Sequence, residues 1–284
     1  MKKKFAWLLA IPVLLGAGYL SLQLRPTTVS EAQQNQLASL TSNPGQEDVD
    51  ALDRVLANYV NEDGLVDYVA LQGDRADLDS YNASIALVGE DTFNQWSEDQ
   101  QIAYLINAYN SLTLKSIIKD EPITKSIRNL IGVWKINQHP LMQKKITLDA
   151  IEHAVLRVNY DEPRIHMALV CAAISCPFLR TEAYRGDQLD EQLDDQVRIF
   201  LDREEAFKID REKGEVQISA IFDWFGEDWV PQYGTSEGFA GSDNERAVLN
   251  FISNYVSEED KAYLKAGDYK VTYAFYDWAL NTQG

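Results

Sequence analysis

Both cysteines of the chain, Cys171 and Cys176, and two of its three histidines, His153 and His166, fall within residues 147–181. A thiol near an imidazole is the raw material of nucleophilic catalysis: a base takes the thiol proton, the thiolate attacks, and a third group orients the base. On this reading Cys176 is the nucleophile, because the chain passes through small residues there and into Pro177. A helix start at that point would favour the thiolate. His153 or His166 is the base, with His153 preferred because His166 lies in an apolar, strand-like run. Glu152, Asn107 or Asn110 is the orienting group, since a side-chain amide fills that role in Cys-His-Asn sites. The same residues support a reading without catalysis. Two cysteines five positions apart in an oxidising compartment would pair. The short loop would bring less than the ~3 kcal/mol of a 15-residue loop. Asn107, His153, Arg164 and His166 would then form the buried polar network of a binding or scaffolding module, with Asn110 and Cys171 as further binding candidates. Cys-x4-Cys is not the usual redox spacing, and no zinc-ligand spacing is recognisable, so no metal is expected.

The remaining composition limits the function classes. With 284 residues, 45% of them hydrophobic, the chain can bury a normal core as one large or two small domains. A net charge of −18 repels phosphate backbones and argues against nucleic-acid binding. No phosphate-cradling glycine loop or dinucleotide fingerprint occurs, so no cofactor is expected. Lys2, Lys3 and Lys4 precede an uncharged, mostly apolar run from Phe5 to Leu24. Residues 1–25 therefore read as a signal peptide or an N-terminal membrane anchor. Either way the rest is expected to be exported to the periplasmic or extracellular face, with residues 5–24 holding the membrane if uncleaved. Residues 26–47, rich in Gln, Ser, Thr and Asn, read as a flexible linker, and 48–284 as one domain. The protein or small-molecule partner is not specified by the sequence.

Within that domain, apolar spacing predicts a helix over 48–59 and another near 75–88. Ser97 and Gln100 form a capping box for a helix over about 98–118, with Asn107 and Asn110 sharing one of its faces. Residues 134–138 and 144–147 predict a hairpin with His139 in its exposed turn. Thr147 caps a helix over about 148–157 in which Glu152 and His153, as neighbours, point roughly 100° apart. Residues 164–171 read as a strand, 187–201 as an acidic amphipathic helix, 217–222 and 269–276 as strands, and 243–256 as a helix. The mixture suggests an α+β domain: a small, mostly antiparallel sheet covered by several helices.

Several stretches resemble the DUF547 family. They are Gly64-Leu-Val-Asp-Tyr68, Ala103-Tyr-Leu-Ile-Asn-Ala-Tyr-Asn-Ser-Leu-Thr-Leu114 and Leu148-Asp-Ala-Ile-Glu-His153. The most distinctive runs from Arg164-Ile-His-Met-Ala-Leu-Val-Cys-Ala-Ala through Ser175-Cys-Pro-Phe-Leu-Arg180, and Ile221-Phe-Asp-Trp-Phe and Tyr276-Asp-Trp-Ala-Leu-Asn281 also agree. The resemblance covers about residues 60–281. Phe178 departs from it, where a second proline is frequent. The family has no assigned activity, so the resemblance implies a domain and leaves its chemistry open: a binding module, or a cysteine-dependent hydrolase or acyl transferase.

Overall fold

The computed structural model describes residues 27–283, so the expected signal or anchor segment lies outside the described residues. About half of the structure is helical, and the strands form two three-stranded sheets. This bears out a single α+β domain. No helix among the described residues is long and apolar enough to cross a membrane.

The Glu98–Ile118 helix is the centre of the core. Its capping box is formed as expected from Ser97 and Gln100. Beyond the first turn it is buried nearly all round, Ile102, Tyr104, Leu105, Ala108 and Leu112 included. A helix apolar on all sides belongs inside a domain, not on its surface. Both asparagines on it are buried too, so their amides need protein partners.

The first sheet has the order β1 (Thr27–Thr28), β3 (Lys144–Thr147), β2 (Gln138–Leu141), all antiparallel. The second strand is where the sequence placed it, but the first is Gln138–Leu141 instead of 134–138, and the turn is Met142-Gln143, both at positive φ. That is the two-residue geometry that matches strand twist. The turn amides are held by the Ile85 and Ala86 carbonyls. His139 is therefore not in an exposed turn: it sits on β2 opposite Ile146, and burial with Lys115 and Lys119 nearby pushes its pKa down to about 4. The second sheet pairs β4 (Phe207–Asp210) with β5 (Glu215–Ile218) antiparallel, and β5 with β6 (Lys270–Tyr273) parallel.

Residues 27–47 differ from the expected linker. Thr27–Thr28 pair with β3, Val29 is buried, and Ser30 caps the Glu31–Ala38 helix. Glu47 reaches into the core, where its Oε1 accepts from Tyr81 Oη at 2.7 Å and Asn107 Nδ2 at 3.3 Å. Polar composition predicts solvation but does not register one such anchoring carboxyl.

Burial lifts the Glu47 pKa to about 7, against the bonds from Tyr81 and Asn107. A raised carboxyl pKa favours folding while the group is protonated, and this contribution is lost as pH rises from about 4.5 through 7. A pKa that differs by one between the folded and unfolded chain is worth ~1.4 kcal/mol. Glu47→Gln is expected to match the parent at pH 5 and to exceed it by roughly 2–3 kcal/mol at pH 8. Thermal melts of both proteins across that range check this; a difference that does not grow with pH contradicts it.

Candidate functional site

A cavity of about 250 Å³ opens beside the central helix and is bordered by Glu152, His153, His166, Cys171 and Cys176. These five expected site residues come together although they arise from three different local structures. Asn107, Asn110 and Arg164 do not border the cavity.

Glu152 and His153 lie on a helix that starts where expected, with Thr147 Oγ1 accepting from Ala150 N. From Ala150 to Leu156 it is wound as a π-helix, and the Arg157 N–H bonds the Glu152 carbonyl five residues back. Such wide turns are frequent at functional sites. His153 Nδ1 lies 3.0 Å from Arg157 Nη1. A guanidinium only donates, so Nδ1 accepts and the neutral ring carries its proton on Nε2. Burial lifts the Glu152 pKa to about 7, against a bond from the Tyr109 hydroxyl.

Residues 164–171 do not form the expected strand. Ile165–Ala168 makes one helical turn, and the chain then runs extended to Cys171. The run is buried on every side, which erases the period that separates strand from helix. His166 is consequently inside, stacked on Phe225 at 4.3 Å, with Nε2 2.7 Å from Asp228 Oδ2. The carboxylate accepts, so Nε2 holds the proton. Asp228 also takes Arg157 Nε and Nη2 at 2.6 and 2.9 Å. Against the effect of burial, these bonds from His166 and Arg157 hold its pKa down to about 2. Burial in turn lowers the His166 pKa despite Asp228. Neither histidine hydrogen-bonds either sulfur, so a direct Cys–His couple of the expected kind is not formed among the described residues.

The two sulfurs are instead placed against each other. Both cysteines are free thiols. Cys176 is buried, accepts the Cys171 backbone N–H at 2.8 Å, and has the Leu169 carbonyl 3.7 Å away. Burial and the neighbouring Cys171 push its pKa well up. Cys171 is the accessible one. Its sulfur lies 3.2 Å from the Tyr276 hydroxyl, with Cys176 and the Ala173 backbone N–H also beside it. Together they hold the Cys171 pKa below its ordinary value, with the Cys176 bond the largest effect and burial opposing. Ala172, between them, sits at φ 62, a left-handed conformation rare for a residue with a Cβ. It persists because the C-terminal tail clamps this loop: Asn281 N bonds the Ala172 carbonyl, and Ile174 N and Ser175 N bond Ala279 and Asp277. Arg203 holds the carbonyls of Ile174 and Cys176 at 2.8 and 2.7 Å.

The remaining expected residues act at a distance. Asn110 closes a peptide-like pair, Nδ2 to the Ala168 carbonyl and Oδ1 from Val170 N, both 2.9 Å, and so fixes the approach to Cys171. Asn107 makes the same pair with Tyr184, 2.8 and 2.9 Å. Arg164 bridges Glu162, Asp190 and Asp194 on the domain surface.

Several residues at the site carried no individual signal. Asp228 and Arg157 were not singled out, and Tyr109 was only one of several apolar positions on the central helix. Trp224, Phe225 and Trp278 belong to stretches noted only for their resemblance, and Tyr276 also to an expected strand. They form the aromatic wall: Trp224 stacks on Trp278 at 5.8 Å and Tyr276 packs against both. The fold and site thus define an α+β domain with a thiol- and acid-lined aromatic cavity. Residues 93–201 match the model of DUF547, described as a protein of unknown function, which bears out the family resemblance. Glu152, His153, His166 and both cysteines lie inside the matched span; Asp228 and Tyr276 lie beyond it. No curated protein and no solved structure matches the chain.

Proposed function

We propose that this DUF547 domain is a thiol-dependent hydrolase or acyl transferase with Cys171 as nucleophile. The observation that carries the reading is a free thiol that borders the cavity with the Tyr276 hydroxyl 3.2 Å from its sulfur, since a hydrogen bond to the charged form favours the thiolate. A charged Glu152 opposes that thiolate. The pair therefore favours one negative charge in all: Cys171 ionised, Glu152 protonated.

This pairing supplies both halves of an acyl transfer. The thiolate attacks the acyl carbon, forming the C–S bond as the carbonyl electrons move to oxygen. When the carbonyl re-forms, the leaving group departs with the Glu152 proton. Water, losing a proton to the Glu152 carboxylate, then adds to the thioester; the C–S bond breaks, the acid is released, and thiolate and protonated Glu152 are restored. A carboxyl with a pKa near 7 is matched to this double task. Tyr276 stays protonated, since burial pushes its pKa well up, and remains a donor to the sulfur. His166, Asp228 and Arg157 are positioning residues that fix Phe225 and the cavity wall.

The charged and then apolar N-terminus supports an exported domain, tethered to the membrane by residues 5–24 if these are retained. A second reading is favoured by the aromatic wall itself: a module that binds a small organic molecule and does no chemistry. Mixing the purified protein with p-nitrophenyl acetate separates the two. The enzyme reading expects a p-nitrophenol burst stoichiometric with protein, an acetyl group on Cys171, and loss in Glu152→Gln of the pH dependence near 7. No burst and no acetylated Cys171 would leave the binding module.

A further inference from the structure

We infer that a second groove, between the end of the Glu98–Ile118 helix and β2, binds a small organic anion through its carboxylate or phosphate oxygens. The groove measures about 500 Å³. Lys115 and Lys119 border it from the helix, and His139 from β2. Lys115 is already paired with Asp79 at 3.1 Å. Lys119 has no ion-pair partner among the described residues, in a chain whose net charge is −18. Asp120 is the one acid on the groove, so its lining stays net positive. His139 Nε2 is buried without a hydrogen-bond partner among the described residues. Buried polar atoms are normally satisfied, so an orphan nitrogen on a residue that borders the groove leaves one hydrogen bond for a ligand to make.

The geometry sets the kind of anion. Leu130, Ile131 and Val133 make part of the lining apolar, with Ile131 91% exposed. A bare ion would leave that part unused, whereas an anionic head with a short apolar body covers it. Burial, with Lys115 and Lys119 nearby, disfavours a charged His139, so the ring meets the ligand as a neutral donor or acceptor. An anion beside Lys119 pairs the lysine that lacks a partner and supplies the acceptor that the Nε2–H tautomer lacks.

Ring signals of His139, followed by NMR in the full chain, test this with two probes, butyrate and inorganic phosphate. A saturable shift with either is expected, and the tighter probe identifies the head group. Lys119 is exposed, so Lys119→Gln should fold normally and weaken binding about tenfold or more, the loss of one charge-assisted contact. His139→Gln should weaken it further when read by calorimetry. Absence of a saturable shift with both probes overturns the site, as does binding that Lys119→Gln leaves unchanged. Cys171→Ser should not alter the titration, so this result stands apart from that of the thiol cavity.

Discussion

Cys171→Ser is expected to remove nearly all alkylation of the reduced protein by iodoacetamide at pH 6.5, while Cys176→Ser stays reactive. An ordinary thiol with pKa ~8.5 is about 1% ionised at that pH. Cys171 lies below the ordinary value because of Cys176, the Tyr276 hydroxyl and the Ala173 backbone N–H beside its sulfur. Cys176 is buried and raised well above it. The labelling rate should therefore fall by on the order of 100-fold or more in Cys171→Ser. In Cys176→Ser the larger of the supporting bonds is altered, so the pH profile of Cys171 should move upward without vanishing. Tyr276→Phe should move it in the same direction. If acyl transfer is the reaction, loss of the nucleophile should cost on the order of 10⁴-fold or more in turnover. Equal labelling of parent and Cys171→Ser, with silence in Cys176→Ser, would return the nucleophile to Cys176.

Asn110→Ala should be among the most destabilising single changes near the cavity. The amide satisfies two buried backbone groups at once, the Ala168 carbonyl and the Val170 N–H. Each buried group left without a partner costs ~1–3 kcal/mol, so a loss of about 2–6 kcal/mol is expected in urea unfolding. Asn110→Asp separates the two bonds. It still accepts from Val170 N but cannot donate to Ala168, and it turns a carboxylate toward that carbonyl. Comparable destabilisation is expected from it, and both variants should slow Cys171 labelling because the chain between residues 168 and 171 is released. A loss below about 0.5 kcal/mol in Asn110→Ala would mean that water replaces the clamp.

The sequence was most legible where the signal is local. Ser97 with Gln100 marks a helix start within four residues, and the Asp48-capped Val49–Tyr59 helix shows its buried stripe directly. The α+β class followed from such elements. Legibility ended where partners are far apart. Tyr276 meets Cys171 across 105 positions and Asp228 meets His166 across 62, and no periodicity encodes such pairs. The environment that distinguishes Cys171 from Cys176 was hidden for the same reason: the Tyr276 hydroxyl beside the Cys171 sulfur comes from the C-terminal tail. The two asparagines were recognised as needing partners, yet only packing decided that both would bond backbone rather than enter a site. Gathering of Glu152, His153, His166 and the cysteines was foreshadowed by their concentration in one stretch; the aromatic wall opposite them was not.

The π-wound turn at Ala150–Leu156 has a consequence for how such a site can change. A π turn is an α-helix carrying one residue more than its turn requires. Thr147 anchors its start, and Arg157, fixed to Asp228, anchors its end. A related chain shorter by one residue between these anchors could keep both and relax to α geometry, swinging Glu152 and His153 around the helix axis relative to the cavity. Gain or loss of the acid then needs no substitution at the site, only a single-codon insertion or deletion on a helix whose ends stay in place.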